Sequence, residues 1–177
     1  MPKGDLMQKI YAGIGSRDTP GEILESMTKI ARKFEEHGWI LRSGGADGAD
    51  RAFEAGVADP AHKEIYLPWR GFNGRQDWDG CIWNYTEEHE RIAAHYHPKW
   101  LFLRHGVKKL HTRNVSQVLG ADCSSPANFV ICWTRDGRAS GGTGQALRIA
   151  EDKAIPIFNL HDAETLKKCL NMEFYNE

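Results

Sequence analysis

Two short glycine-rich segments hold the residues best suited to chemistry. The first is Ser43-Gly44-Gly45-Ala46-Asp47-Gly48-Ala49-Asp50, and the second is Ser140-Gly141-Gly142-Thr143-Gly144. Glycine lets a backbone approach an anion closely. A helix starting beside it presents unbonded N–H groups and partial positive charge. The predicted chemistry is the holding of a phosphate by Ser43, Gly44, Gly45 and Gly48 on one side and by Ser140, Gly141, Gly142, Thr143 and Gly144 on the other. A third segment, GIGSRDTP at 13–20, adds Gly15, Ser16 and Arg17. One glycine turn alone reads as tight strand-to-helix geometry; two, with Ser and Thr interleaved, point to a phosphate. Neither segment continues as GK[ST] or reads GxGxxG, so a Walker loop and a dinucleotide cofactor are not the first expectation. No cofactor is expected.

Carboxylates near such a cradle have two readings. Asp47 and Asp50 are candidates to stabilise positive charge on a sugar as a base departs. They also sit where a helix begins, and capping is the competing role. Residues 69–113 concentrate Trp69, Trp78, Trp83 and Trp100 with eight Arg or Lys residues, Arg113 among them. Aromatic rings stack on bases and cations meet phosphates. This composition predicts a lid, with Trp69 and, from a later strand, Trp133 as base contacts. The plainer reading makes these tryptophans a local core. His95 and His97 resemble a metal motif, but two-residue spacing does not bring them to one helix face. No metal site is expected.

These residues need a frame. Apolar runs at 9–14, 39–42, 63–67, 128–133 and 155–160 read as strands. Helical spacing recurs over 21–37, after the Ser43–Asp50 segment with Ala52, Phe53 and Val57 on one face, and over 86–96, 107–119, 141–153 and 162–170. Strands alternating with helices imply a parallel sheet covered on its faces. The expectation is an α/β, Rossmann-like, three-layer domain covering 1–177, with five parallel strands and a helical insertion at about 68–126. Every strand-to-helix loop then opens on the carboxyl edge, where open α/β sheets bind ligands.

Composition narrows the function classes. The chain has 177 residues, 41% of them hydrophobic and 27% charged, which fits a globular protein and excludes a disordered one. A net charge of −1 argues against a broadly basic nucleic-acid binder while leaving room for a local patch. No run approaches the length of a membrane span. The opening MPKGDLMQKI has no apolar core of a secretory signal. Cys81, Cys123, Cys132 and Cys169 show no paired spacing, so reduced thiols in a cytoplasmic protein are expected.

Three stretches carry a resemblance. LRSGGADGADRAFEA at 41–55 resembles the SGxAxGxDxxAH loop of the Smf/DprA DNA-processing proteins. SGGTGQALRIAEDKAIPIF at 140–158 resembles their later SGTxxTAxxAxxxGxxV stretch. LHTRNVSQ at 110–117 resembles the MHxRKxxM helix of Lonely Guy phosphoribohydrolases. The chain is thus similar to the SLOG superfamily, which contains both groups. The resemblance implies a nucleotide pocket, a catalytic role for Arg113 and a homo-oligomer. It also implies a glutamate after the second glycine loop for N-glycoside cleavage. Here Leu147 and Arg148 stand at that place, so hydrolysis of ordinary nucleoside 5′-monophosphates is not expected. The winged-helix tail of many Smf/DprA proteins is not expected either, since about 17 residues follow the last strand. Three functions remain open: a small-nucleotide site that cleaves an N-glycosidic bond, a non-catalytic nucleotide sensor or sequestering protein, and a single-stranded DNA binder.

Overall fold

The computed structural model describes residues 8–173. The segment read for a secretory signal lies largely outside them. Six parallel strands form one sheet: β1 (Ile10–Gly13), β2 (Ile40–Ser43), β3 (Lys63–Tyr66), β4 (Cys81–Ile82), β5 (Phe129–Cys132) and β6 (Ile157–Asn159). Their spatial order is β4-β3-β2-β1-β5-β6. Five match the expected strands within a few residues. The sixth, β4, corrects the expectation of five. It has only two residues, pairing Ile65 with Cys81 and Tyr66 with Ile82, and no alternation marks it within its turn-rich surroundings.

The described residues also form six α-helices: α1 (Gly21–Glu36), α2 (Ala49–Ala55), α3 (Glu87–His95), α4 (His105–Leu119), α5 (Gly141–Asp152) and α6 (Ala163–Asn171). Side-chain alternation along the strands divides the core in two. Tyr11, Leu41, Ile65 and Ile131 pack with Met27, Ile30 and Phe34 of α1, Phe53 of α2 and Cys169 of α6. Ile10, Ala12, Val130 and Cys132 pack on the other face with Val115, Val118 and Leu119 of α4 and Leu147, Ile149 and Ala150 of α5. The result is the expected three-layer arrangement.

Helix α1 has Pro20 at its N-cap with no side-chain cap, and the Thr19 hydroxyl donates to the Ser16 carbonyl at 2.6 Å. The expected insertion divides: α4 belongs to the sheet-covering layer, because Val115, Val118 and Leu119 of its last turns pack with residues of the strands.

Candidate functional site

Strand β1 is followed by a helix on one face of the sheet, and its neighbour β5 by a helix on the other. At such a reversal the two connections diverge and leave a crevice at the carboxyl edge. A cleft of about 630 Å³ lies there. Its walls come from Ile14–Asp18 after β1, Thr134 and Arg135 after β5, the first turn of α5, and a stripe of α4 containing His111, Arg113, Asn114 and Gln117.

Part of the second glycine segment lines this cleft. Gly141, Gly142 and Thr143 are the first residues of α5 and line the wall, with Ser140 beside them. Ser140 occupies the N-cap but makes no cap hydrogen bond, because its hydroxyl donates to Asp136 Oδ1 at 2.7 Å. The first-turn N–H groups therefore have no side-chain cap. Gly144 points away from the cleft, packed against the backbone of Ala139.

The first glycine segment departs from expectation. Of its residues, Ala46 and Asp50 line the cleft, whereas Ser43, Gly44, Gly45 and Gly48 hold the framework. The Ser43 hydroxyl donates to the Gly13 carbonyl at 2.6 Å. At Gly44, an added Cβ would lie 2.1 Å from Gln117 Nε2 and 2.5 Å from Arg113 Nη1. At Gly48, with φ of 79°, it would lie 2.6 Å from Arg17 Cα and 2.7 Å from the Ser16 carbonyl oxygen. The glycines let α4 and the β1 loop close onto this segment. Helix α2 has only seven residues, and the Ala46 N–H already donates to Asp50 Oδ2 at 3.3 Å. A protein carboxylate therefore takes one backbone donor of this segment.

Asp50 and Arg113 are both buried, with 5% and 6% exposure, and both line the cleft. Burial pushes the Asp50 carboxyl up to about 6, against the pull of the Arg113 charge and the hydrogen bonds from Ala46 and Ser43. Arg113 Nη1 donates to the carbonyls of Gly44 and, at 3.4 Å, Tyr66. Its Nε donates to Asn114 Oδ1 at 3.1 Å. Phe72 covers the guanidinium at 5.7 Å.

A polar chain links this arginine to α5. Asn114 Nδ2 donates to the Gly142 carbonyl at 3.3 Å and to Gln145 Oε1 at 3.2 Å. Gln145, fully buried, donates from Nε2 to the Ala93 carbonyl at 2.9 Å. His111 Nδ1 lies 3.3 Å from Gln145 Oε1, and its ring packs on His97 with centroids 4.5 Å apart.

Other sequence-selected residues fall elsewhere. Asp47 is exposed, 3.5 Å from Arg51 Nη1, and accepts from Asn73 Nδ2 at 3.0 Å. Trp133 is not a lid residue: it is buried in the core beneath the β5 loop, and only its backbone reaches toward the cleft, accepting from the Ser16 N–H at 3.2 Å. Trp69 packs edge-on against Phe72 at 5.3 Å and is outside the lining. Trp78 and Trp83 pack on each other under Arg70. The aromatic side chain in the cleft wall is Phe72. Sequence reasoning missed it because a turn-rich stretch gives no periodic signal. It missed Asn114 and Gln117 because their importance lies in facing Gly44 and α5 across the fold. Leu147 is core and Arg148 Nε donates to the Tyr96 carbonyl at 3.1 Å, so the lining carboxylates are Asp18 and Asp50. Among the described residues no cluster of three metal-ligating side chains occurs, and no helix is long and apolar enough to cross a membrane.

No family model and no curated protein sequence matches this chain. Among solved structures, the chain is similar in fold to DNA processing protein A from Helicobacter pylori, a protein with a single-stranded DNA binding mode. The TM-score is 0.56 with 13% identity, over 96% of this chain and 81% of that one. The likeness establishes a shared Rossmann-like architecture.

Proposed function

We propose that the cleft binds a nucleoside phosphate. The observation that supports it most is the first turn of α5, which opens into the cleft with its cap residue turned away to Asp136. A helix end of this kind favours an anion through its free N–H groups and its dipole. Arg17 lines the same cleft and adds positive charge, and Arg135 lines it 3.6 Å from Asp18 Oδ2. The volume of about 630 Å³ lies within the usual range of roughly 300–1,000 Å³ for small-molecule sites. In this reading the phosphate rests on Gly141–Thr143, and the sugar lies toward Asp50 and the α4 stripe. Cleavage of an N-glycosidic bond would require a carboxylate near the anomeric carbon. Asp50 is the buried candidate, with Arg113 beside it. Binding without cleavage needs only the phosphate contacts.

Single-stranded DNA is the second reading, favoured by the fold likeness to DNA processing protein A. Calorimetric titration separates the two. Nucleoside 5′-phosphates and an oligothymidylate are titrated at about 50 and about 200 mM salt, a range over which multi-phosphate contacts lose orders of magnitude in affinity. Saturable mononucleotide binding with a shallow salt dependence is expected. Oligonucleotide binding with a steep salt dependence, and none to mononucleotides, would favour the DNA reading instead.

A further inference from the structure

The polar chain behind the cleft fixes more than position. The carbonyls of Gly142 and Ala93 can only accept hydrogen bonds. Asn114 must therefore turn its amide nitrogen to Gly142, and Gln145 must turn its own to Ala93. The Arg113 Nε–H, which can only donate, confirms the Asn114 orientation from the other side. Gln145 Oε1 is thereby left facing His111 Nδ1 at 3.3 Å. An acceptor at that point requires a proton on Nδ1. In a neutral imidazole the other nitrogen, Nε2, is then an acceptor. Burial, with the neighbouring His97, Arg113 and Arg148 charges, holds His111 below the ordinary histidine range and so keeps it neutral.

From this network we infer that His111 presents Nε2 to the cleft as a hydrogen-bond acceptor for a ribose hydroxyl, making the site selective for ribonucleoside phosphates. The inference rests on the nucleoside phosphate reading. His111 lines the cleft on the same α4 face as Asn114, which is bonded to the Gly142 carbonyl. His111 is thus linked through Gln145 and Asn114 to the turn where the phosphate is expected. Asp50 supplies a second acceptor across Arg113. A wall of acceptors suits a sugar rich in hydroxyl donors and leaves a deoxy sugar with an unpaired partner.

The test uses the full chain. AMP, GMP, CMP and UMP are titrated calorimetrically, and the tightest is compared with its 2′-deoxy and 3′-deoxy forms. At least one deoxy form should bind about three- to tenfold more weakly. The variant His111→Asn keeps a donor near Nδ1 for Gln145 and removes the Nε2 acceptor; in it the difference should vanish. Equal binding of all three forms to the wild type overturns the inference but leaves the nucleotide reading standing. A preference that survives in His111→Asn overturns it as well, by assigning the hydroxyl to another group. Failure of every mononucleotide to bind removes both. Long-range proton–nitrogen spectra of the wild type need no variant: a proton on Nδ1 is expected, and one on Nε2 overturns the inference.

Discussion

Arg113 on α4 donates from one guanidinium nitrogen to the backbone carbonyls of both Gly44 and Tyr66. These carbonyls lie just past β2 and at the end of β3, so one buried side chain gathers two strand ends beneath the cleft.

Replacing this fork with a single point charge has a predictable cost. Lysine has three donors on one nitrogen and cannot reach Gly44, Tyr66 and Asn114 together. Arg113→Lys is expected to lower stability by about 1–3 kcal/mol and to weaken nucleotide binding, read from urea unfolding and calorimetry. A variant with wild-type midpoint and wild-type affinity would show that the fork is dispensable.

The phosphate position can be probed without disturbing the core. A Cβ at Gly142 meets open space, whereas Gly45 has φ of 69° and Leu67 Cδ2 within 2.5 Å of an added Cβ. Gly45 variants are strained in the fold itself and report on binding poorly. Gly142→Asp places a carboxylate on the positive end of α5, where it favours the helix and repels a phosphate. Nucleotide affinity is expected to fall at least about tenfold, equivalent to about 1.4 kcal/mol, with the melting temperature unchanged or raised. Full affinity in this variant would place the phosphate elsewhere.

Gly48 joins two loops through bare backbone. Its φ of 79° and its approach to Ser16 and Arg17 leave no room for a methyl group. We predict that Gly48→Ala destabilises the protein by about 1–3 kcal/mol, visible as a lower urea midpoint. An unchanged midpoint would mean that the β1 loop yields freely.

Asp50 makes stability depend on pH with an unusual sign. Its folded value of about 6 lies above the ordinary 3.8, so between these values the folded state binds more protons than the unfolded state. Its contribution is favourable at low pH and is lost as pH rises through about 6. At about 1.4 kcal/mol per pKa unit the difference is about 3 kcal/mol. Glu35 and Glu54, whose values are lowered by hydrogen bonds and neighbouring charges that outweigh burial, act in the opposite direction. The wild type is therefore compared with Asp50→Asn across pH 4 to 7. The variant should gain relative stability as pH rises; a constant difference would contradict the burial of an ionising carboxyl.

Catalysis on common nucleotides is expected to be absent. No α5 carboxylate lines the cleft, since Leu147 is core and Arg148 is engaged by Tyr96. Incubation with AMP should release no adenine detectable by chromatography. Rapid release would contradict this. Release from an unusual nucleotide such as an ADP-ribose derivative, abolished in Asp50→Asn, would assign the chemistry to Asp50.

The order of strands and helices was legible in the sequence because hydrophobic period and glycine punctuation are local properties. So were the two glycine segments and Arg113 in its helix. Local pattern could not distinguish the two segments by use. Both have the composition of an anion loop, yet the α5 turn lines the cleft with Gly141, Gly142 and Thr143, whereas only Ala46 and Asp50 of the other segment reach it. The other is filled by its own Asp50 and compressed by Ser16, Arg17, Gln117 and Arg113, residues separated from it by tens of positions in the chain. Trp133 carries the same ambiguity: its chemistry suits a base contact, while strand alternation on a sheet buried on both faces sends the ring into the core. The two-residue β4 was invisible because its strand identity consists of pairing with β3. The orientation of His111 depended on Gly142 and Ala93 carbonyls brought together by three helices. Composition and spacing thus determined which groups were available; packing across the sheet decided which of them face the cleft, because only the folded chain fixes each acceptor against its donor.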